Sequence, residues 1–229
     1  MSTRISSQLR EASEPAWSGL AEHPFLRGLA DGSLPPERFR FYIEQNLFYL
    51  PRYARVMALG AAKARDEREL ALFSAALQQV TEVEIPENEA LLRRVCELGA
   101  EDRGGSVEPA PNALAYTSWL ESVAFAGGTP EILAAVLPCT WSYGDLGRRL
   151  APEAAPHPIY TEWITFFASD DYTLVVDRMR RDADELLGDL DERALAELAG
   201  IFRSGIRLET RFWDMAFELS GWADSPSDI

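Results

Sequence analysis

The chain has 229 residues, of which 47% are hydrophobic, and this length and composition predict one globular domain whose core needs no disulfides or metals. Its formal net charge of −15 at pH 7 argues against nucleic-acid binding, because contacts to phosphate need a basic patch. The presence of a single Lys, two His and two Cys argues against Schiff-base, histidine-rich metal and zinc-ribbon chemistry.

The amino terminus carries no apolar signal-peptide segment. The longest uncharged run of interest, Ile132 to Gly144, is shorter than the ~20 apolar residues that a membrane helix needs. The two Cys residues are too isolated in sequence to form a disulfide framework, which fits a reducing compartment. We therefore expect a cytoplasmic protein that associates with neither membrane nor nucleic acid.

Apolar residues recur at helical spacing throughout, and hairpin turns and period-2 alternation are nearly absent, so the chain is predicted to be all-α. The first long helix is expected to start at Ser33 to Pro36, where Pro fits the first turn. It places Asn46, Tyr49 and Tyr53 on one face, which suggests the wall of a binding pocket. The alternative is that the Tyr hydroxyls simply reach the surface. Farther along this helix, Lys63 has the pattern of a solvated face.

A second helical segment is predicted from about Asp66 to Leu98, with an interruption at Pro86. Around this proline lie four acidic residues, which favour a charged surface but leave open a carboxylate site of a metal-dependent oxidase; they are Glu82, Glu84, Glu87 and Glu89. The following stretch, Gly99 to Pro111, is predicted to be a surface loop because it contains Gly and Pro.

Helix signals resume at Asn112 and stop at Gly127, and Thr129 is expected to be the N-cap of the next helix. That helix contains Pro138, which predicts a kink just before Cys139. Cys139 and Tyr143 are four residues apart and share a face, so a thiol beside an aromatic plane is positioned to attack a flat ring. The alternative is an inert cysteine in an apolar core.

Three more helices are predicted: a short one around Trp163, one from Ser169 or Asp170 to Leu187, and a long one from Asp191 to about Leu219. The last helix carries Glu209 among aromatic residues, where burial would raise the carboxyl pKa and suit a general acid. The alternative is an outward Glu209 paired with a neighbouring Arg. About eight helical segments with short connections describe a multi-helix bundle.

An ordered set of short segments resembles the TenA/thiaminase II family over about residues 17 to 222. The segments are His23–Phe25, Asp31–Pro35, Phe41–Asn46 with Tyr49–Leu50, Leu137–Cys139, Tyr143, His157–Tyr160 with Trp163–Ile164, and Glu209 with Phe212–Ala216. No one segment is decisive, but their order is specific.

The resemblance implies a single haem-oxygenase-like all-α domain over residues 1–229, without haem, cofactor or metal, with a tail from about residue 222, usually a homotetramer. It implies hydrolysis of thiamin, or of the aminopyrimidine from thiamin breakdown, in thiamin salvage. Cys139 matches the nucleophile that adds to the pyrimidine ring, and Glu209 matches the acid/base. Tyr49, Tyr116 and Tyr143 match the aromatic residues that hold the ring.

Two positions depart from the family pattern. Asn46 stands where the family usually has an Asp that binds the amino edge of the ring, and an amide can both accept from and donate to that edge. Phe167 stands where the family commonly has a Tyr, so one hydroxyl is lost at a cost of ~1–3 kcal/mol. Both changes suggest altered substrate choice or weaker activity, and leave open a non-catalytic pyrimidine-binding homologue.

Overall fold

In the computed structural model, residues 4–98, 108–188 and 190–222 are described, and they form eleven α-helices and no β-strand. The first six helices are α1 (Ile5–Glu11), α2 (Ala16–Gly19), α3 (Pro24–Asp31), α4 (Pro36–Ala62), α5 (Glu67–Gln79) and α6 (Ile85–Glu97). The other five are α7 (Pro111–Ala126), α8 (Thr129–Leu150), α9 (Tyr160–Ala168), α10 (Asp170–Leu186) and α11 (Glu192–Glu218). The predicted all-α class is confirmed.

The helix starts follow from proline and capping chemistry. Pro36 begins α4 as predicted, and Pro111 occupies the first turn of α7, where the missing N–H would have no partner within the helix. The side chains of Ser169 and Asp191 accept hydrogen bonds from the first turns of α10 and α11. The predicted bounds of these last helices are confirmed within one or two residues.

Both histidines also have local structural roles. The Nδ1 of His23 accepts a hydrogen bond from the backbone of α3, and its Nε2 lies 3.1 Å from Asp214 Oδ1. The Nδ1 of His157 accepts from the backbone N–H groups of Ile159 and Tyr160 at the start of α9.

Several details of the helix prediction were wrong. Gly128 rather than Thr129 is the N-cap of α8, and its backbone N–H donates to Glu131 Oε2 at 2.8 Å. The second helical segment is interrupted by a π-helical turn at Val80–Glu84, ahead of Pro86, which is accommodated in the first turn of α6. The described residues contain eleven α-helices instead of about eight, because three short ones precede α4. Most of the predicted loop, residues 99–107, lies outside the described residues, as do residues 223–229 of the predicted tail.

Helix α8 lies at the centre of the bundle, with most of its residues buried. It continues through Pro138 and packs against α11 where Gly205 removes a side chain, because a Cβ at that glycine would lie 2.8 Å from Pro138 Cγ. Helices α7, α9 and α10 pack on other sides of α8, and α4 packs against α5, α6 and α7. Among the described helices, none has both the length and the apolar character needed to span a bilayer.

Lys63 connects two helix ends instead of facing solvent, so the prediction of a solvated face was wrong. Its Nζ donates to the carbonyl oxygens of Ala124 at 2.7 Å, Phe125 at 2.9 Å and Gly127 at 2.6 Å. These carbonyls lie at the C-terminal end of α7, where they lack partners within the helix and where the helix dipole favours a cation. The end of α4 is thereby fixed to the end of α7.

Candidate active site

Five helices bring most of the predicted site residues to the interior of the bundle around Cys139. Cys139 lies in α8, partly accessible to solvent, and follows directly on Pro138. The predicted residues around it are Tyr49 and Tyr53 from α4, Tyr116 from α7, Tyr143 from α8, Phe167 from α9 and Glu209 from α11. The bundle therefore places one thiol, one carboxyl group and several aromatic rings together.

Glu209 is an internal carboxyl group, with 2% of its surface exposed. Tyr116 donates a hydrogen bond to Glu209 Oε1 at 2.7 Å. Burial raises the pKa of Glu209 to about 7, although hydrogen bonds from Tyr116 and from the Cys139 thiol oppose this rise. The alternative of an outward Glu209 paired with Arg207 or Arg211 was wrong, since both arginines lie on the exposed face of α11.

The Cys139 thiol has a pKa well above its ordinary value. Burial is the largest cause, and the negative charges of Glu209 and Glu84 add to it. Tyr49 acts in the opposite direction, because its hydroxyl lies near the sulfur. Cys139 is therefore a thiol at neutral pH, and it becomes a nucleophile only by giving its proton to a base. Glu209 is a suitable base because its carboxyl group lies close enough for its charge to raise the pKa of the thiol.

Aromatic rings form the walls around the thiol. Tyr49 lies 5.0 Å from Tyr116 and 5.4 Å from Tyr53 between ring centroids. Tyr143 meets Phe167 edge to face at 4.9 Å. The Tyr49 hydroxyl is buried without a well-formed hydrogen bond to the described residues, despite its proximity to Cys139. An unsatisfied hydroxyl beside a thiol is suited to bind a polar atom of a ligand.

Asn46 is 8% exposed, and a second amide fixes its orientation. Its Nδ2 donates to Asn88 Oδ1 at 2.9 Å, and Asn88 Nδ2 donates to the backbone oxygen of Glu84 at 2.8 Å. This chain of bonds directs the Asn46 amino group toward Asn88. The Asn46 carbonyl oxygen is left to accept from a ligand amine.

Glu84 is a member of the site that the sequence interpretation missed. Glu82, Glu87 and Glu89 are exposed, as expected for a charged surface, but Glu84 is only partly accessible. Burial raises the pKa of Glu84 to about 7. A usable signal was present, because Glu84 lies four residues after Val80 and four before Asn88, both buried on the same helix face.

The acidic residues around Pro86 gain no support as a metal centre. Within residues 4–98, 108–188 and 190–222, no group of three or more His, Cys, Asp or Glu side chains is arranged to hold a metal ion. The carboxylate site of a metal-dependent oxidase therefore has no geometric support in that part of the chain.

The sequence and fold are similar to those of known proteins. The TENA/THI-4/PQQC family matches residues 10–219. The chain is 39% identical to an aminopyrimidine aminohydrolase from Halalkalibacterium halodurans, over 95% of this chain and 97% of the relative. A TenA homologue from P. horikoshii has 30% identity and a TM-score of 0.82, covering 94% of this chain and 99% of that one. Haem oxygenase-1 from the cyanobacterium Synechocystis is 16% identical with a TM-score of 0.65, covering 93% and 91% of the two chains. The predicted haem-oxygenase-like fold is thereby confirmed.

Proposed function

The chain belongs to the TENA/THI-4/PQQC family, and we propose that it is an aminopyrimidine aminohydrolase of the thiaminase II type. Its substrate would be an aminomethylpyrimidine from thiamin breakdown, or thiamin itself, and its product hydroxymethylpyrimidine for thiamin salvage. The observation that carries this proposal is the buried Glu209 carboxyl group, which accepts a hydrogen bond from Tyr116 and whose charge acts on the Cys139 thiol. A relative named for this activity is similar to nearly the whole chain.

In the proposed mechanism Cys139 and Glu209 activate the ring together. The Cys139 thiol gives its proton to Glu209 as the sulfur bonds to a ring carbon, and Glu209 passes this proton to the ring nitrogen that receives the electron pair. The adduct is no longer aromatic, so electrons from that nitrogen expel the leaving group from the exocyclic methylene. The leaving nitrogen is already cationic, as an ammonium or a thiazolium, and departs as neutral ammonia or thiazole. Water then adds to the methylene and gives one proton to the solvent, and the reverse of the first step releases the Cys139 thiol.

Substrate recognition in this proposal depends on aromatic planes and one amide. Tyr49, Tyr116 and Tyr143 would stack on or border the pyrimidine, and the Asn46 oxygen would accept from its exocyclic amine. Phe167 supplies a ring edge against Tyr143 but no hydroxyl. We therefore propose neutral recognition of the pyrimidine, without a charged contact from Asn46.

The test is to incubate the protein with aminomethylpyrimidine, its formylamino derivative and thiamin, and to identify products by chromatography and mass spectrometry. The proposal predicts hydroxymethylpyrimidine from at least one of them, and loss of that product in the Glu209→Gln variant. Failure of the wild-type protein to convert any of the three would contradict it.

The departures at Asn46 and Phe167 favour one second candidate, a homologue that binds a pyrimidine without converting it. This candidate predicts that pyrimidines raise the melting temperature of the wild-type protein and of Cys139→Ala alike, with no product from either. Product that requires Cys139 would instead support the enzyme.

We also propose that the whole chain forms one cytoplasmic domain that assembles as a homotetramer. Large apolar side chains at the surface support assembly, since Phe125 is 69% exposed and Leu174 is 66% exposed. Light scattering coupled to size exclusion tests this, with a mass of four chains expected and a monomer mass contradicting it.

A further inference from the structure

Asn88 is a buried amide in α6, the helix that packs against α4. It shares the buried face of α6 with Leu91 and Val95, at spacings of three and seven residues, and only 7% of its surface is exposed. An amide among apolar side chains costs free energy unless its polar atoms have partners. Both polar atoms of Asn88 have a hydrogen-bond partner, so the amide is held in one orientation.

The backbone sets the orientation of the Asn88 amide. Its Nδ2 donates to the backbone oxygen of Glu84 at 2.8 Å, four residues earlier. A carbonyl oxygen only accepts hydrogen bonds, so turning the amide over would place two oxygens against each other. The Asn88 oxygen therefore faces away from this carbonyl, and it accepts from Asn46 Nδ2 at 2.9 Å.

The orientation of Asn46 follows from that of Asn88. Because Asn88 presents an oxygen, Asn46 has to present its amino group to it, and turning Asn46 over would again place two oxygens against each other. Among the residues that the structure describes, none donates to the Asn46 oxygen, and this oxygen is not one of the fully buried polar atoms that lack a partner. The Asn46 oxygen is therefore both fixed in direction and accessible to a ligand.

A chain of contacts joins Asn46 to the candidate active site. Asn46 lies one helical turn before Tyr49 among the buried residues of α4. The Tyr49 ring lies 5.0 Å from that of Tyr116 between centroids, and Tyr116 donates to Glu209 Oε1 at 2.7 Å. The fixed amide is therefore next to the aromatic wall that would hold the pyrimidine.

We propose, in an inference that rests on the proposed function, that Asn88 is a positioning residue that makes the site select an amino group over an oxo group on the pyrimidine. Asn88 holds the Asn46 oxygen toward the exocyclic amine, and the second N–H of Asn46 Nδ2 donates to the adjacent ring nitrogen. An oxopyrimidine in its N–H form presents the opposite pattern, since its exocyclic oxygen accepts and its ring N–H donates. The fixed amide would then oppose acceptor to acceptor and donor to donor.

The experiment measures, by isothermal titration calorimetry, the dissociation constants of two pyrimidines that differ at one position. One is hydroxymethylpyrimidine, the product under the proposed function, which carries the exocyclic amine. The other is its oxo counterpart, which has an oxygen in place of that amine. We expect the wild-type protein to bind the amino form at least about 10-fold more tightly, because the oxo form leaves polar groups of the site without partners.

Asn88→Leu and Asn88→Ala both remove the acceptor, so that Asn46 is free to turn over and to pair with either ligand. In each variant we expect the ratio of the two dissociation constants to fall toward 1, because the oxo form binds more tightly than it does to the wild-type protein. A merely structural role of Asn88 would weaken the binding of both ligands. If the oxo form binds no more tightly to the variants that fold than to the wild-type protein, the proposal is overturned.

Asn88→Asp is the matched variant, because it also loses the donor to the Glu84 oxygen but keeps an acceptor for Asn46. It should retain the wild-type preference for the amino form, and loss of that preference would contradict the role of the acceptor. Glu89→Gln changes the exposed neighbour of Asn88 and should leave both dissociation constants unchanged. If the wild-type protein binds neither pyrimidine, the proposed function fails as well; if only the expectation for the Asn88 variants fails, the proposed function survives.

Discussion

At the scale of single residues, burial favours the protonated forms of the ionisable groups in the site. The pKa of Cys139 is far above its ordinary value and that of Glu209 is raised to about 7, so a buried thiolate is disfavoured. A bare thiolate there would be costly because low polarity disfavours charge. The nucleophile is therefore expected to form only when a bound ring accepts the electron pair.

The amide pair Asn46–Asn88 gives a prediction at this scale. In Asn46→Asp a carboxylate oxygen would face Asn88 Oδ1, which now accepts at 2.9 Å. Turning the Asn88 amide over would place its oxygen against the Glu84 carbonyl instead. We expect a loss of about 1–3 kcal/mol in the free energy of unfolding at neutral pH, measured by urea denaturation. The loss should shrink toward about pH 4, where the new carboxyl group begins to protonate and donates again. Equal stability at pH 7 would contradict this interpretation.

Most residues of the site could be predicted from the sequence, some from helical spacing and others from the family resemblance. Helical spacing put Tyr49 and Tyr53 on one face, and the resemblance supplied Cys139 and Glu209. The sequence interpretation missed Glu84. Three of the four acidic residues near Pro86 are exposed, as that interpretation expected, whereas Glu84 is only partly accessible and lies in a π-helical turn. The hydrogen bond from Asn46 to Asn88 joins residues that are 42 apart in sequence, and no local pattern specifies such a bond.

At the scale of helices, the contact between α8 and α11 holds the nucleophile opposite its base. Pro138, directly before Cys139, packs against Gly205, four residues before Glu209. The proline ring is rigid, so it has little freedom to yield to a larger neighbour. The distance between the two helices therefore depends on the missing side chain at Gly205.

Two glycines of α11 test this contact as a matched pair. Gly205→Ala would place a Cβ 2.8 Å from Pro138 Cγ, and we expect it to destabilise the protein by about 1–3 kcal/mol. Gly200→Ala meets nothing within 4 Å and should stabilise by about 0.5–1 kcal/mol through helix propensity. Thermal unfolding should show shifts of opposite sign. A stable Gly205→Ala with full activity would contradict the proposed role of this contact.

Most helix bounds could be predicted because proline and capping side chains mark them locally. Ser and Asp are residue types that cap helices, and the side chains of Ser169 and Asp191 accept hydrogen bonds from the first turns of α10 and α11. The π-helical turn that starts at Val80 was not predictable in this way. Pro86, six residues later, is a stronger local signal for an interruption of the helix. Lys63 was misjudged because its three carbonyl partners lie more than 60 residues away in sequence.

At the scale of the whole molecule, two carboxyl groups with raised pKa values make stability depend on pH. Glu84 and Glu209 have pKa values raised from 4.5 to about 7, so the folded state binds more protons than the unfolded state between these values. Their contribution is fully present below pH 4.5 and is lost as pH rises through 7. Each group lowers stability by at most about 1.4 kcal/mol per pH unit in this window.

Glu209→Gln isolates one of these contributions. Because Gln does not titrate, the stability of the wild-type protein relative to Glu209→Gln should fall as the pH rises from 5 to 8. Denaturant unfolding of both proteins across this range measures the difference, in which groups common to both cancel. A constant difference, or one that rises with pH, would contradict the raised pKa of Glu209.

The most direct test of the central claim compares kcat/KM for aminomethylpyrimidine hydrolysis between Cys139→Ser and Cys96→Ser. Cys96 lies near the C-terminal end of α6, away from the proposed chemistry, and its variant should retain the wild-type rate. Cys139→Ser loses the sulfur that adds to the ring, so its rate should fall by at least about 1,000-fold, on the order of 4 kcal/mol in the barrier. A Cys139→Ser protein that hydrolyses the substrate at the wild-type rate would contradict the account.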